Sequence, residues 1–377
     1  MKYFIIAGEQ SGDLHGSNLV RELFRFDTEA VIRCWGGDFM QSEGAELLMH
    51  YRQTAFMGFV EVAKNLGSIG RLFTLCKQQI NSFSPDVVIL IDYPGFNLRI
   101  AKFARKSGLR VFYYISPKLW AWNEGRVRKV KQYVDRMYII FPFEVEFYQR
   151  HGVETVYRGN PLLDETGKRL RALPPGDEVR RSLGLDNNPV IAMLAGSRKS
   201  EVKQILPEML KTVSHFPGYQ FVLAGVKNLP DKLYKEILRD YPVRLINDRT
   251  YEILYVSEAA LVKSGTATLE AALLGVPEVV CYKGDFISMV IAWAVIKVRF
   301  ISLVNLIAGY EAVKELVQFS LNEKNLVKEL EAVLPGGSRR EKALRDYARV
   351  KEILGPEGAS ERVASDMVEA LRQPEPV

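Results

Sequence analysis

The sequence predicts an α/β protein built of two doubly wound parallel-sheet domains that face a common cleft. Its 377 residues exceed what a single hydrophobic core usually organises, so two domains are the first expectation. Short, continuously apolar runs alternate with segments of helical pattern, which is typical of parallel strands covered by helices on both faces. This alternation stops at a charged stretch near the middle of the chain and then starts again, which indicates a second domain of the same kind.

In the first half, each apolar run is followed by a helical pattern. The predicted strands are KYFIIAG, VIRCWGG, DVVILIDYP and RVFYYISP. The predicted helices extend from about Asp13 to Phe26, from Gly67 to Phe83 and from Leu98 to Ser107. Together they define a first Rossmann-like domain over residues 1–170.

The crossing between the domains is expected in the charged stretch 164–184, which contains Pro174, Pro175 and Gly176. A second Rossmann-like domain then covers residues 185–350, with predicted strands in PVIAMLAG, YQFVLAG, VRLIND and AALVKSG. Residues 357–373 form one amphipathic helix. Two placements are open for this helix: it folds back over the first domain, or it is exchanged with a partner chain.

Composition narrows the class of protein. The chain is 47% hydrophobic and 25% charged, which is typical of a soluble globular protein. Its 3 cysteines, Cys34, Cys76 and Cys281, form no C-x-x-C pair, which favours a reducing cytoplasm and argues against disulfides or a zinc site. The net charge of +6 suits nucleic acid, anionic lipid or phosphorylated small molecules and does not choose among them.

Two apolar segments bear on membrane attachment. The N-terminal run before Glu9 is too short for a signal peptide and is better interpreted as a first buried strand. The longest apolar stretch, Phe286 to Ile296, is shorter than the roughly 20 residues that a spanning helix needs. We therefore expect no transmembrane segment.

Ligands of open α/β sheets bind outside the carboxyl ends of the strands, so candidate residues are sought directly after each predicted strand. After the first strand, AGEQSGDLHG places a glycine at every fourth position, Gly8 and Gly12 among them, which is not the dinucleotide fingerprint. These glycines make either a tight turn with close helix packing or a backbone cradle. In the second case Ser11, Asp13 and His15 would face a polar ligand.

Asp92 lies at the end of the strand DVVILIDYP. An aspartate at such a position commonly binds the amides of its own loop. A carboxylate flanked by aromatic and apolar residues is also a candidate general base, because partial burial raises its pKa. The residues alone leave both interpretations open.

The segment YISPKLWAWNEGRVRKVKQ brings Trp120 and Trp122 close to the cations Arg126, Arg128, Lys129 and Lys131. The ordinary interpretation is an aromatic loop packed on the core and followed by a solvated basic helix. A contact with anionic lipid head groups would use the same residues. RNA is ranked last, since no nucleic-acid motif accompanies the segment.

Two loops of the second half resemble anion sites. In LAGSRKSEV, Ser197 and the amides that follow it open a helix beside Arg198, which suits a diphosphate, although a plain N-cap with an exposed arginine would look the same. In SGTATLEAALLGVP, Glu270 stands in the second helical turn, where a carboxylate can accept both hydroxyls of a ribose. The helix start in this loop consists of Ser264, Gly265, Thr266, Ala267 and Thr268.

Several catalytic motifs are absent from the sequence. It contains no D-x-D motif, no Walker loop, no H-E-x-x-H and no G-x-S-x-G. The 4 histidines are spread through the chain, which makes a histidine-based metal site improbable. We expect neither a metal nor a cofactor.

Taken in order, the motifs resemble the lipid-A-disaccharide synthases, inverting glycosyltransferases of the GT-B fold class. The resemblance extends from about residue 3 to residue 320 and is carried by AGEQSGDLHG, IDYPGFN, YISPKLWAW, FPFEVEFYQRHGV, GNPLLDE, LAGSRKSEV, SGTATLEAALLGVP and SLVNLIAG. It implies transfer of 2,3-diacylglucosamine from its UDP carrier to 2,3-diacylglucosamine 1-phosphate (lipid X). It also implies a peripheral enzyme on the cytoplasmic face of the inner membrane of Gram-negative bacteria, without a metal.

The resemblance assigns roles to particular residues. Asp92 matches the family's candidate base, and Arg198 with the 264–268 loop would stabilise the departing UDP. Asn305 matches a position near the donor. Ser116 and Trp120 fall in a motif that we assign to the acceptor side or its loop. The two acyl-bearing substrates would explain an apolar stretch that dips into one leaflet, although a buried helix explains it equally well.

The sequence departs from the family pattern at three positions. Gly95 stands where a second acid is frequent, Asn160 where many members have histidine, and Val304 where proline is common. The first leaves Asp92 as the sole carboxylate of its loop.

The alternative functions are another GT-B UDP-sugar enzyme, such as a soluble-acceptor glycosyltransferase or a UDP-GlcNAc epimerase, and a non-catalytic basic protein. A homodimer is compatible with all of them.

Overall fold

Residues 1–54, 66–122, 124–284 and 299–373 are described by a computed structural model. They divide into two compact units, one made of Met1–Asp164 with the segment from Pro356 onward, the other of Glu165–Gly355. Each unit contains one parallel sheet with helices around it, which confirms the predicted α/β fold class. The apolar stretch from Phe286 to Ile296 and the side chain of Trp122 lie outside the described residues.

The first unit is built on a seven-stranded sheet of order β3-β2-β1-β4-β5-β6-β7, in which every pairing is parallel. The strands are β1 (Lys2–Ala7), β2 (Val31–Gly36), β3 (Glu46–His50), β4 (Val87–Ile91), β5 (Arg110–Tyr114), β6 (Arg136–Ile139) and β7 (Thr155–Tyr157). All five residues of β4 are buried, as expected of a central strand covered on both faces.

Nine described α-helices begin in the part of the first unit that ends at Asp164. They are α1 (Gln10–Phe26), α2 (Asp38–Ser42), α3 (Tyr51–Thr54), α4 (Leu66–Phe83), α5 (Pro94–Lys106), α6 (Leu119–Trp122), α7 (Val127–Tyr133), α8 (Phe143–Arg150) and α9 (Pro161–Ala172). The division between the two units falls within α9.

The second unit has a six-stranded parallel sheet of order β10-β9-β8-β11-β12-β13. The strands are β8 (Val190–Leu194), β9 (Gln220–Gly225), β10 (Val243–Asn247), β11 (Ser257–Lys263), β12 (Glu278–Tyr282) and β13 (Lys314–Val317). The helices are α10 (Gly176–Ser182), α11 (Lys199–Leu210), α12 (Asp231–Leu238), α13 (Thr250–Tyr255), α14 (Thr266–Leu273), α15 (Leu303–Ala308), α16 (Glu323–Val333) and α17 (Arg340–Leu354).

The charged stretch 164–184 differs from the simple crossing that its composition suggests. It is largely helical, in α9 and α10, because its apolar residues are buried: Val179 is 1% exposed and Leu183 6%. The prolines Pro174 and Pro175 lie between these two helices and end the first of them.

The last helix, α18 (Ala359–Arg372), belongs to the first unit. Val363 and Met367 are buried in the same hydrophobic core as Leu19 and Leu23 of α1. The Asp164 carboxylate accepts hydrogen bonds from the amides of residues 358–360, so it caps the start of α18. The chain therefore returns to its first unit, which is the first of the two placements left open by the sequence.

Among the described residues, every helix is too short or too polar to span a membrane.

Candidate active site

Asp92 directly follows β4, at the carboxyl edge of the first sheet. Its φ is 45° and that of the next residue, Tyr93, is 51°. A left-handed conformation at two consecutive residues other than glycine is costly and persists only where the surroundings enforce it. Such strain is concentrated at functional sites in proteins, which singles out this turn.

Two side chains and one glycine enforce the turn at Asp92. The Tyr113 hydroxyl donates a hydrogen bond to the Asp92 carbonyl oxygen, and Asn97 Nδ2 donates to the same oxygen at 2.8 Å. Gly8 makes room on the other side, since a Cβ at this position would lie 2.3 Å from the ring of Tyr93. Of the two interpretations offered for Gly8, close packing is therefore the one that the structure supports.

The environment of Asp92 alters its acidity. Burial raises the pKa of the Asp92 carboxyl to about 6; the positive charge of Lys118 opposes this shift and the negative charge of Glu9 adds to it. A carboxylate with this pKa is largely ionised at neutral pH and is still basic enough to accept a proton.

The Asp13 carboxylate binds the backbone of a neighbouring loop. Its carboxylate accepts hydrogen bonds from the amides of Gly37 (2.8 Å), Phe39 (3.1 Å) and Met40 (3.1 Å), at the start of α2. The side chain is 1% exposed. For Asp13 the structure thus favours a loop-binding role over the ligand contact that was the alternative.

Two further residues of the segment that follows β1, Ser11 and Gly12, differ in their exposure. A Cβ at Gly12 would lie 3.2 Å from the Cβ of Ala7, so Gly12 lets α1 pack closely on β1. Ser11 is exposed at the first turn of the helix. Ser11 therefore remains available to a ligand, whereas Gly12 serves packing.

Ser116 and Trp120 converge on Glu144, a residue that lies within a quoted motif but was assigned no role from the sequence. Ser116 Oγ and Trp120 Nε1 both donate to Glu144 Oε1, the latter at 3.1 Å. The amides of Ile140 and Phe141 donate to its other oxygen, at 3.2 and 3.0 Å. Burial raises the pKa of Glu144 to about 7, while these hydrogen bonds oppose the shift. Glu144 therefore joins the loops that follow β5 and β6.

The basic helix α7 has one face in the core and one in solvent. Val127 and Val130 are buried, whereas Arg128, Lys129 and Lys131 are exposed. The solvated-helix interpretation is correct for this element, and its exposed cations are compatible with an anionic surface.

In the second unit, β8 and β11 are adjacent, with Leu194 opposite Val262. The loops that follow them, 195–198 and 264–265, therefore lie side by side at the carboxyl edge. Ser197 and Arg198 are exposed there. Gly196 has a φ of 113° and permits the sharp turn.

The sequence suggested that the amides of Ser197 and Arg198 face a ligand, but these amides are bound within the protein. Both donate to Glu201 Oε2, at 3.1 and 3.3 Å, because Glu201 stands in the first turn of α11 and folds back over its start. The capping reading is therefore correct for these amides. The anion-binding reading remains for the exposed Arg198 side chain.

Gly265 is the N-cap of α14 and, having no side chain, cannot cap the helix that it opens. Ser264 Oγ instead donates to the Ile301 carbonyl at 2.8 Å and Thr268 Oγ1 to the Gly265 carbonyl at 2.8 Å. Thr266 is exposed and Ala267 half-buried. The start of α14 thus offers backbone amides and the Thr266 hydroxyl at the sheet edge.

Glu270 is half-buried one turn further along α14. Its Oε1 accepts a hydrogen bond from the Tyr251 hydroxyl at 3.0 Å. Burial raises the pKa of Glu270, with the Tyr251 hydrogen bond and the positive charge of Arg169 opposing the shift. Tyr251, which no sequence motif singled out, therefore fixes this carboxylate in place.

The side chain of Asn305, which the resemblance places near the donor, is bound within the protein. Its Nδ2 donates to the Val313 carbonyl (2.9 Å) and to Glu315 Oε1 (2.8 Å), and its Oδ1 accepts from the amides of Ala312 and Val313. The side chain is 0% exposed. Both N–H groups and both lone pairs are used within the protein, so the Asn305 side chain joins α15 to the segment that follows it.

Within the described ranges, no group of three or more His, Cys, Asp and Glu side chains is arranged to hold a metal ion.

Comparison with known proteins identifies the family. The family model for lipid-A-disaccharide synthetase matches residues 3–366. The chain belongs to this family. The lipid-A-disaccharide synthase of Geobacter sulfurreducens is 39% identical to it over 98% of this chain and 97% of that protein. The enzyme of the same name from Syntrophus aciditrophicus is 39% identical over 96% and 95%.

Solved structures of similar fold are more distant. The UDP-GlcNAc 2-epimerase of Neisseria meningitidis, bound to UDP-GlcNAc, has a TM-score of 0.71 at 15% identity and covers 98% of this chain and 100% of its own. The S. aureus MnaA structure with UDP has a TM-score of 0.70 at 14% identity, covering 100% and 98%. These likenesses confirm the GT-B fold class. The lipid-A-disaccharide synthase relatives, at more than twice the identity, make the epimerase alternative the weaker one.

The three departures of this chain from the family pattern have different surroundings. Gly95 is exposed, with open space around a would-be Cβ. Asn160 is 1% exposed and joins the Ile140 carbonyl to the Leu162 amide, at 2.9 Å each. Val304 is buried in α15. Asn160 and Val304 are therefore structural, and only Gly95 changes the polar surface near Asp92.

Proposed function

We propose that this protein transfers 2,3-diacylglucosamine from UDP-2,3-diacylglucosamine to the 6-hydroxyl of lipid X, with inversion at the anomeric carbon. Family membership supports the overall reaction. The observation that carries the mechanism is the half-buried Asp92 carboxylate, which stands on a strained backbone turn at the edge of the first sheet and has a pKa of about 6.

Asp92 is the general base of the proposed reaction. Its carboxylate takes the proton of the acceptor 6-hydroxyl while that oxygen forms a bond to the anomeric carbon. The bond from this carbon to the UDP oxygen breaks in the same displacement, so the configuration inverts and UDP leaves with the bonding electron pair. A base whose pKa lies just below neutrality is ionised and retains enough basicity for this transfer.

The leaving UDP acquires negative charge that must be stabilised. Arg198 supports this role because its guanidinium is exposed beside the start of α11 and can bind a diphosphate bidentately. The amides at the start of α14 add a positive helix end. With these groups the second unit can serve as the donor-binding unit, and we expect the transfer to need no metal.

Glu270 is proposed to bind the uridine ribose. Its carboxylate is held on one oxygen by Tyr251 at 3.0 Å, and a carboxylate has lone pairs for further donors on both oxygens. Its position one turn from the diphosphate-binding helix start is compatible with the length of a nucleoside.

Both substrates carry acyl chains, so we propose that the enzyme works at an anionic membrane surface as a peripheral protein. The exposed cations Arg128, Lys129 and Lys131 on α7 support this. Each basic residue near an anionic membrane contributes about 1 kcal/mol.

The test is a coupled assay of the purified full-length protein. UDP release should require UDP-2,3-diacylglucosamine and lipid X together, and Asp92→Ala should bind UDP with normal affinity while losing turnover. Equal turnover with a water-soluble sugar acceptor would instead favour another GT-B enzyme. Tight binding to anionic vesicles or RNA without detectable UDP binding would favour a non-catalytic basic protein.

A further inference from the structure

Lys263, the last residue of β11, forms an ion pair with a residue at the start of α11 in the second unit. Its Nζ lies 2.8 Å from Oε1 of Glu201, in the first turn of α11. The two side chains are 20% and 15% exposed. The pair therefore joins the end of β11 to the loop that follows the neighbouring strand β8, and it is shielded from most of the solvent.

Glu201 is itself held firmly, so it fixes the position of the lysine ammonium. Its second oxygen accepts from the amides of Ser197 and Arg198. Gly196 gives the carboxylate its space, since a Cβ there would lie 2.5 Å from Oε2. One carboxylate thus sets both the backbone that carries Arg198 and the location of Lys263 Nζ.

The ammonium lies beside the start of α14. A Cβ built on Gly265 would be 3.8 Å from Lys263 Nζ. The group is therefore adjacent to the uncapped amides that open this helix. An ammonium has three N–H donors, so an ion pair with one carboxylate oxygen leaves donors for a second acceptor.

We propose that Lys263 binds the diphosphate of the nucleotide donor, as a second cation beside Arg198. Glu201 holds the ammonium between the two loops, where negative charge on either phosphate would meet it. This inference rests on the proposed function, because it takes the nucleotide diphosphate to bind at the starts of α11 and α14. It adds a residue for which neither the motifs nor the family resemblance supplied a role.

The opposing explanation is that the ion pair only stabilises the loops. The two explanations differ in what they predict for ligands with and without phosphate. A phosphate contact affects UDP and leaves uridine alone, whereas a loosened loop changes the binding of both.

The experiment measures UDP affinity by titration calorimetry and uridine affinity by ligand-observed NMR on the full chain. Three variants are compared with the wild type: Lys263→Met, Lys263→Arg and the control Lys342→Met. The control removes another ion-paired lysine of the same unit, whose Nζ lies 2.5 Å from Asp346 on α17. Circular dichroism verifies that each variant is folded.

Lys263→Met should weaken UDP binding about 10-fold and leave uridine binding unchanged. Lys263→Arg should retain most of the UDP affinity, and Lys342→Met all of it. Unchanged UDP affinity in Lys263→Met would overturn the inference, as would an equal loss for UDP and uridine. Absence of UDP binding to the wild type would instead refute the proposed function, and this inference with it.

Discussion

The hydroxyl of Tyr113 donates a hydrogen bond to the carbonyl oxygen of Asp92, at the end of the adjacent strand of the first sheet. Asn97 donates to the same oxygen at 2.8 Å. The backbone of the candidate base is therefore anchored from β5 and from α5 while its own φ is left-handed. A carboxylate on such an anchored turn loses little freedom when substrate binds, as a positioned general base requires.

The pH profile of the reaction should reveal this carboxylate. Asp92 acts in its ionised form and its pKa is about 6, so kcat/KM should rise with pH through about 6 and reach a plateau above it. Asp92→Asn should lower kcat by roughly 10²- to 10⁴-fold and abolish the rise, with UDP affinity unchanged. A wild-type profile that is flat between pH 5 and pH 8, roughly the range that brackets this pKa, would contradict the assignment.

Gly8→Ala should damage catalysis by displacing Tyr93. The new methyl group would lie 2.3 Å from the Tyr93 ring, so the turn that carries Asp92 must move, which we expect to cost about 10- to 100-fold in kcat. Gly95→Ala is the matched control, because a Cβ there meets nothing within 4 Å. Steady-state kinetics of the two variants measure kcat. Similar kcat values would show that the close approach of Gly8 to the Tyr93 ring is unimportant for catalysis.

Glu144→Ala should destabilise the first unit. The change leaves the Ser116 hydroxyl, the Trp120 indole N–H and two backbone amides without their acceptor, at a cost of about 2 to 4 kcal/mol in the free energy of unfolding. Glu146→Ala, at an exposed position of the same helix, should change it by less than about 0.5 kcal/mol. Urea denaturation measures both free energies of unfolding. Equal midpoints for Glu144→Ala and Glu146→Ala would show that the hydrogen bonds to Glu144 do not stabilise the first unit.

Glu278→Met should stabilise the second unit at neutral pH. Glu278 is 1% exposed, and among the described residues neither carboxylate oxygen has a hydrogen-bond partner. Burial, with a smaller contribution from Glu315, holds its pKa well above the ordinary value. The folded state therefore keeps a proton that the unfolded state releases above a pH of about 4.3, so stability falls as pH rises beyond that point.

Removing the carboxyl group should raise the free energy of unfolding by about 1 to 3 kcal/mol at neutral pH and flatten its pH dependence. Glu236→Met, at an exposed position of α12, is the control and should do neither. Guanidinium unfolding at acidic and neutral pH measures both effects. A Glu278→Met variant less stable than the wild type would show that the buried carboxyl group does not destabilise the folded protein.

Chelation should leave the reaction unaffected. The proposed stabilisation of UDP relies on Arg198 and on helix-start amides, so saturating EDTA should not change the rate of UDP release. A rate that falls with EDTA and is restored by a divalent cation would require a metal in the donor site.

Several central strands of both sheets were predictable from the sequence. Strands such as β4 and β8 are fully buried and appear in the sequence as continuous apolar runs. The edge strands β3 and β7 are only half-buried and were not predicted. The largely buried strands β6 and β12 were also missed, whereas the half-buried edge strand β10 was predicted. The hydrophobic pattern therefore located only part of each sheet.

The site was less predictable than the fold because its supporting contacts are distant in sequence. Glu144 acts on Ser116 from 28 residues away, a distance at which sequence spacing carries no information. The role of Asn305 is equally hard to predict from the sequence. A buried amide that satisfies backbone groups and one that binds a ligand are the same residue type, and only the hydrogen-bond partners distinguish them.

The return of α18 to the first unit has a consequence for how the protein is made. Val363 and Met367 complete a core whose other residues, such as Leu19, are synthesised more than three hundred residues earlier. A nascent chain leaving the ribosome therefore finishes the second unit while the first still lacks its last helix. Until translation ends, the exposed core of the first unit is the natural target for chaperones, and a chain cut short near Pro356 would keep that surface permanently.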